Sequence, residues 1–121
     1  MSLTLILQSI FTAIHIKELK EKLELTLLCG DDLGREVTGC YCGDLLSWVM
    51  SRAQEGDAWL TVMGNINSIG VAVLADVACI ILTENAALDD DALKRAEQNG
   101  VVIMRTAKNT YQTAAEISRL I

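Results

Sequence analysis

Three short apolar runs recur in the carboxyl half of the chain: Ala-Trp-Leu-Thr-Val-Met at 58–63, Ala-Cys-Ile-Ile-Leu-Thr at 78–83 and Val-Val-Ile-Met-Arg-Thr at 101–106. They show little alternation of apolar with polar positions, which is the pattern of strands covered on both faces and therefore of a parallel sheet. Between and after them come stretches with helical spacing at 68–78, 90–100 and 107–121. Asp89 or Asp90 is placed to cap the second of these, and Asn99-Gly100 ends it with residues that tolerate left-handed backbone. The order β-α-β-α-β-α predicts an α/β protein, a three-layer α/β/α sandwich with a mostly parallel open sheet.

The amino half is less regular. Ile16–Leu23 carries apolar residues at 16, 19 and 23 and a Glu18/Lys22 pair four residues apart, so a short amphipathic helix is expected. Glu24–Cys29 alternates like a strand, Gly30–Glu36 turns the chain, and Glu36–Cys42 reads as one further strand. Asp44–Ala53 follows as a helix, with Leu45/Val49 and Leu46/Met50 on one side and Asp44 as N-cap or first-turn acid. Gln54–Asp57 then leads into the first central strand. No linker or low-complexity tract divides the chain, so one domain over 15–121 is expected, preceded by an extension over 1–14 that carries no charge before His15.

Composition narrows the partners. Sixteen acidic residues against ten basic give a formal charge of −6, and the basic residues are scattered, which disfavours nucleic acid and anionic membranes. Four irregularly spaced cysteines, no cationic leader pattern and no apolar run of spanning length make the cytoplasm the expected compartment. With 51% hydrophobic residues, five aromatics, no proline and a mean hydropathy of +0.33, a small globule has more apolar surface than it can hide, and a homodimer is expected.

Cys40 and Cys42 flank a single tyrosine, so on a strand both thiols share a face. Their spacing is wrong for zinc, which takes two to four residues between paired cysteines, and the sole histidine, His15, lies far away in sequence. Packing as small buried hydrophobes is the favoured reading, with a thiol or metal sensor left open. Gly39 and Gly43 bracket the pair and point to close backbone approach or a positive φ.

The run Arg-Glu-Val-Thr-Gly-x-Tyr-x-Gly-Asp-Leu-Leu-Ser at 35–47, followed by Ala-x-Glu-Gly-Asp-x-Trp-Leu-Thr at 53–61, resembles the DRTGG domain family. The likeness covers about residues 15–120, and its most specific block is Gly39–Ser47. That family is similar to the amino-terminal domain of HPr kinase/phosphorylase and occurs as a regulatory module beside phosphotransacetylase and CBS-containing inorganic pyrophosphatase domains. The resemblance implies an α/β/α fold and frequent dimerisation, and no established activity. Cys40 and Cys42 stand where the resemblance leads one to expect a glycine and a small apolar residue. The phosphate-cradling pattern G-x-x-x-x-G-K-[ST] is absent, so kinase chemistry is not expected.

Open parallel sheets bind ligands beyond the carboxyl ends of their strands. Three polar segments fall there: Gly64–Gly70 with Asn65, Asn67 and Ser68, then Thr83-Glu84-Asn85, then Thr106–Thr110 with Lys108. Their convergence is the expected ligand site, although Asn65 and Ser68 also suit plain helix capping. No histidine-acid pairing or nucleophile elbow marks a catalytic centre, and the acids at 31–32 and 89–91 read as turn and cap residues. The expectation is a non-enzymatic regulatory domain with no cofactor or metal, sensing a small metabolite or nucleotide as a homodimer. The alternative is a protein-interaction module that docks on a partner enzyme, with the apolar surplus and the uncharged amino-terminal segment as its contact face.

Overall fold

The computed structural model describes residues 13–121; expectations placed on residues 1–12 lie outside the described residues. The elements in chain order are β1 (Ile14–His15), α1 (Ile16–Leu23), β2 (Thr26–Cys29), β3 (Glu36–Val37), β4 (Gly39–Cys42), α2 (Leu46–Arg52), β5 (Asp57–Thr61), α3 (Ile66–Ala75), β6 (Cys79–Leu82), α4 (Asp90–Asn99), β7 (Ile103–Arg105) and α5 (Thr110–Ser118). A five-stranded sheet runs in the order β2-β7-β6-β5-β4, with β4, β5, β6 and β7 mutually parallel and β2 antiparallel at one edge. β1 and β3 form a separate antiparallel pair.

The three apolar runs became β5, β6 and β7 because both of their faces are covered. On one face Ala58, Leu60, Cys79, Ile81, Val102 and Met104 pack with Ile16, Leu19 and Leu23 of α1 and Ile117 of α5. On the other, Trp59, Ile80, Leu82 and Ile103 pack with Val49 of α2, Ile69 and Ala72 of α3, and Ala92 and Ala96 of α4. Each of the larger buried side chains contributes roughly 1.5–3 kcal/mol of transfer free energy. The result is the expected α/β/α sandwich with a mostly parallel sheet.

Helix ends follow local chemistry. Asn109 accepts from the Gln112 amide at 2.8 Å while the Gln112 side chain accepts from the Asn109 amide at 3.3 Å, a complete capping box for α5. Asn65 accepts from the Ser68 amide at 3.1 Å and caps α3. Asp89 stands at the N-cap of α4 without a side-chain cap bond, and Gly100 closes that helix in the left-handed region at φ +67°.

Two local expectations are corrected. Glu36–Cys42 is not one strand: at Thr38 the amide turns to the Gly56 carbonyl at 3.0 Å, so the chain leaves the β1 pairing and joins β5 from Gly39 onward. Asp44 does not cap α2, whose N-cap is Leu45. Its carboxylate instead accepts from the Thr61 hydroxyl at 2.7 Å and the Val62 amide at 2.9 Å, tying the β4 exit to the end of β5.

Candidate functional site

The family-like residues of 35–43 build the scaffold rather than a pocket. Arg35 donates to the Asp76 carboxylate at 3.0 Å and to the Asp76 and Val77 carbonyls at 2.8 and 3.3 Å, clamping the exit of α3. Gly39 lies so close to the Asp57 carboxylate that a Cβ there would collide with it; its φ is not in the left-handed region, so close approach is the reason for the glycine. The Gly43 carbonyl accepts from the indole of Trp59, which is fully buried, at 2.9 Å.

Chain direction fixes where a ligand can sit. β4, β5 and β6 each send the chain into a helix on the same face, whereas β7 sends it into α5 on the opposite face. The loops after β6 and β7 therefore diverge to opposite faces, the topological switch at which doubly wound sheets place ligands. Here the two loops are joined. Glu84 donates its amide to the Lys108 carbonyl at 2.8 Å, Asn85 to the Thr106 carbonyl at 2.8 Å, and the Thr83 and Thr110 hydroxyls meet at 2.8 Å. Glu84 and Asn85 both hold φ +55°, a left-handed pair in non-glycine residues that this stitching keeps in place.

An open depression of about 330 Å³ lies beside the stitch, between β7 and the antiparallel β2, lined by Leu23, Glu24, Thr26, Asn85, Arg105, Thr106, Ala107 and Lys108. Arg105 is half-buried, and its guanidinium has no ion-pair or hydrogen-bond partner among the described residues. Lys108 is held by Glu116 at 2.6 Å, and the second oxygen of Glu116 is buried without a partner.

Of the expected site residues, Asn85, Thr106 and Lys108 line this depression, and Thr83 is buried beneath the stitch. Asn65 and Ser68 are occupied with each other at the start of α3. Asn67 faces elsewhere, lining a groove of about 560 Å³ between α2 and α3 with Leu46, Met50, Ile66, Gly70 and Leu74. Arg105, Thr26 and Glu24 were missed, although Arg105 was visible as the charged residue within the last apolar run.

Cys29, Cys40, Cys42 and Cys79 are free thiols. Complete burial pushes Cys79 up to about 12. Among the described residues no group of three or more His, Cys, Asp or Glu is placed to hold a metal, and no helix is long and apolar enough to cross a membrane.

The family model for the DRTGG domain matches residues 15–120. The chain belongs to the DRTGG domain family. Among solved structures it is similar to the crystal structure of the CBS and DRTGG domains of the regulatory region of Clostridium perfringens pyrophosphatase, complexed with the activator diadenosine tetraphosphate. The TM-score is 0.71 at 13% identity, over 91% of this chain and 46% of that one, so the two share a fold. The DRTGG chain thus spans about half the length of that regulatory region. Comparison with curated proteins returned no match.

Proposed function

We propose that this DRTGG domain is a regulatory module, not itself an enzyme, that senses a small metabolite, with a nucleotide as the leading class, as a cytoplasmic homodimer. The observation that carries the reading is the depression beside the β6/β7 divergence. Its unpartnered Arg105, the nearby Lys108, and the amide and hydroxyl groups of Asn85, Thr106 and Thr26 form a donor set suited to a phosphate, because a planar guanidinium offers paired N–H groups to an oxyanion. The nucleotide class draws support from the pyrophosphatase regulatory region of the same fold, which was crystallised with diadenosine tetraphosphate.

The test is thermal denaturation against adenine nucleotides, diadenosine tetraphosphate, acyl phosphates and sugar phosphates. A ligand at 100 times its Kd adds about 2.7 kcal/mol, which raises the Tm of a domain of this size by several degrees. Arg105→Gln should lower that shift while leaving the unliganded Tm near wild type. No shift across the panel, or a shift indifferent to Arg105→Gln, overturns the site.

Docking on a partner enzyme is the competing reading, favoured by the apolar groove between α2 and α3. For that groove the occupant proposed is a second copy of this chain; a wild-type chain that stays monomeric would return the face to the docking reading.

A further inference from the structure

Cys40 and Cys42 occupy alternate positions of β4, so their side chains leave the same face of the sheet while Tyr41 packs into the other. Cys40 is half-buried against the core beside α1 and α5, and Cys42 is exposed at the carboxyl end of the strand. Cys29 and Cys79 are buried in the core, which keeps a dissolved oxidant from their sulfurs. Among the described residues β4 pairs with β5 alone and is an edge strand of the sheet. We propose that Cys40 and Cys42 are a peroxide-reactive dithiol: the exposed thiol is oxidised first, and its half-buried neighbour closes the disulfide.

The chemistry balances with one equivalent of a hydroperoxide. The Cys42 thiolate attacks the peroxide oxygen, the O–O bond breaks, and Cys42 becomes a sulfenic acid as the leaving alkoxide or hydroxide takes a proton. The Cys40 thiol then attacks the Cys42 sulfur, the S–O bond breaks, and water departs with the Cys40 proton. Two residues of extended strand span about 6.6 Å, inside the upper end of the Cα separations that a disulfide bridges. The Cβ atoms, which share that spacing on one face, must close to about 3.8 Å, so forming the link requires β4 to give up its extended geometry locally.

Exposure assigns the order of attack, since a dissolved peroxide reaches Cys42 before Cys40. Its coupling to Cys40 draws Cys42 down to about 7, against burial and the nearby Asp44 carboxylate, the direction that favours thiolate on the exposed residue. The same coupling, reinforced by burial and by the charges of Cys42, Asp57 and Cys79, raises Cys40 above its ordinary value, in keeping with the resolving role that its half-buried position gives it. Packing explains an apolar Cys40; it does not explain an exposed partner thiol two residues on.

The experiment treats the full chain with stoichiometric hydrogen peroxide and reads intact mass and a non-reduced chymotryptic digest, which cuts after Tyr41 and separates the two cysteines. Expected are the loss of two hydrogens, a Cys40–Cys42 link reversed by dithiothreitol, and a changed Tm. Cys40→Ser should stop at a Cys42 sulfenic acid captured by dimedone, with Cys40→Ala as the second variant if serine perturbs folding. Cys42→Ser should leave Cys40 unlabelled. Unmodified thiols, a link to Cys29 or Cys79, a link between chains, or dimedone capture on Cys40 would overturn the proposal.

Discussion

A missing Cβ has opposite meanings at two positions of the same loop-helix unit. At Gly64 a Cβ would run into the Ala87 carbonyl and crowd the Leu88 backbone, because the chain after β5 passes directly under the approach to α4; the Asp89 amide bonds the Gly64 carbonyl at 2.8 Å. At Gly70, inside α3, nothing lies within 4 Å of the same atom. Gly64→Ala should therefore cost about 1–3 kcal/mol through forced backbone displacement, whereas Gly70→Ala should gain roughly 0.5–1 kcal/mol from the lower chain entropy of alanine in a helix. Urea denaturation of both variants checks the pair. Equal effects would mean that glycine is kept for a reason other than the space around it.

Among elements, the two helices that start beyond β6 and β7 test how capping is distributed. Asn109 closes a reciprocal box on α5, and its replacement by alanine should cost about 1 kcal/mol. Asp89 makes no side-chain cap bond, so Asp89→Ala should lose only the helix-dipole attraction, a few tenths of a kcal/mol at ordinary ionic strength. Chemical denaturation of the two variants side by side decides, and a larger loss at Asp89 would reverse the assignment. The same contrast explains what could be read from the chain. Ile80, Ile81 and Leu82 announce a doubly covered strand because no polar residue interrupts them, and Asn99-Gly100 announces a helix stop by backbone preference alone. Asp44 gave no such announcement: its partners Thr61 and Val62 are 17 and 18 residues away, and a local reading assigns an acid before a helix to the cap. Thr38 hid the break in Glu36–Cys42 for the same reason, since its amide answers to Gly56 across the molecule. Of the candidate site, the convergence of Asn85, Thr106 and Lys108 followed from strand order. The departure of Asn67 into the α2/α3 groove depended on helix phase, and the contribution of Thr26 depended on an antiparallel edge strand whose place beside β7 no local pattern encodes.

At the scale of the molecule, the apolar surplus in the composition has an address. Leu45, Trp48 and Met50 of the α2 region are 58%, 52% and 50% exposed, and Val73 and Leu74 of α3 are 46% and 72% exposed. Leu46 and Met50 form one ridge and Ile66, Gly70 and Leu74 another, and the groove between them is mostly apolar, with Ser47, Asn67 and Arg95 as its polar members. Met50 and Leu74 are the exposed apolar side chains of that groove; Trp48, two residues from Met50, turns to the other side of α2, and Val73 borders a different depression. In the proposed homodimer a second copy would meet this face with an identical one, the isologous arrangement of most dimers. Leu74→Glu places one carboxylate from each copy into the contact. Each charge then loses solvation, a penalty of several kcal/mol per ion that Arg95 at the groove's border offsets only in part. Because Leu74 is mostly exposed in the single chain, the substitution should leave folding intact, with an unchanged circular dichroism spectrum. Sedimentation velocity should give a dimer for the wild type and a monomer for Leu74→Glu at the same concentration. A wild-type monomer, or a dimer indifferent to the substitution, would remove the α2/α3 face from the assembly and leave the apolar surplus to a different partner.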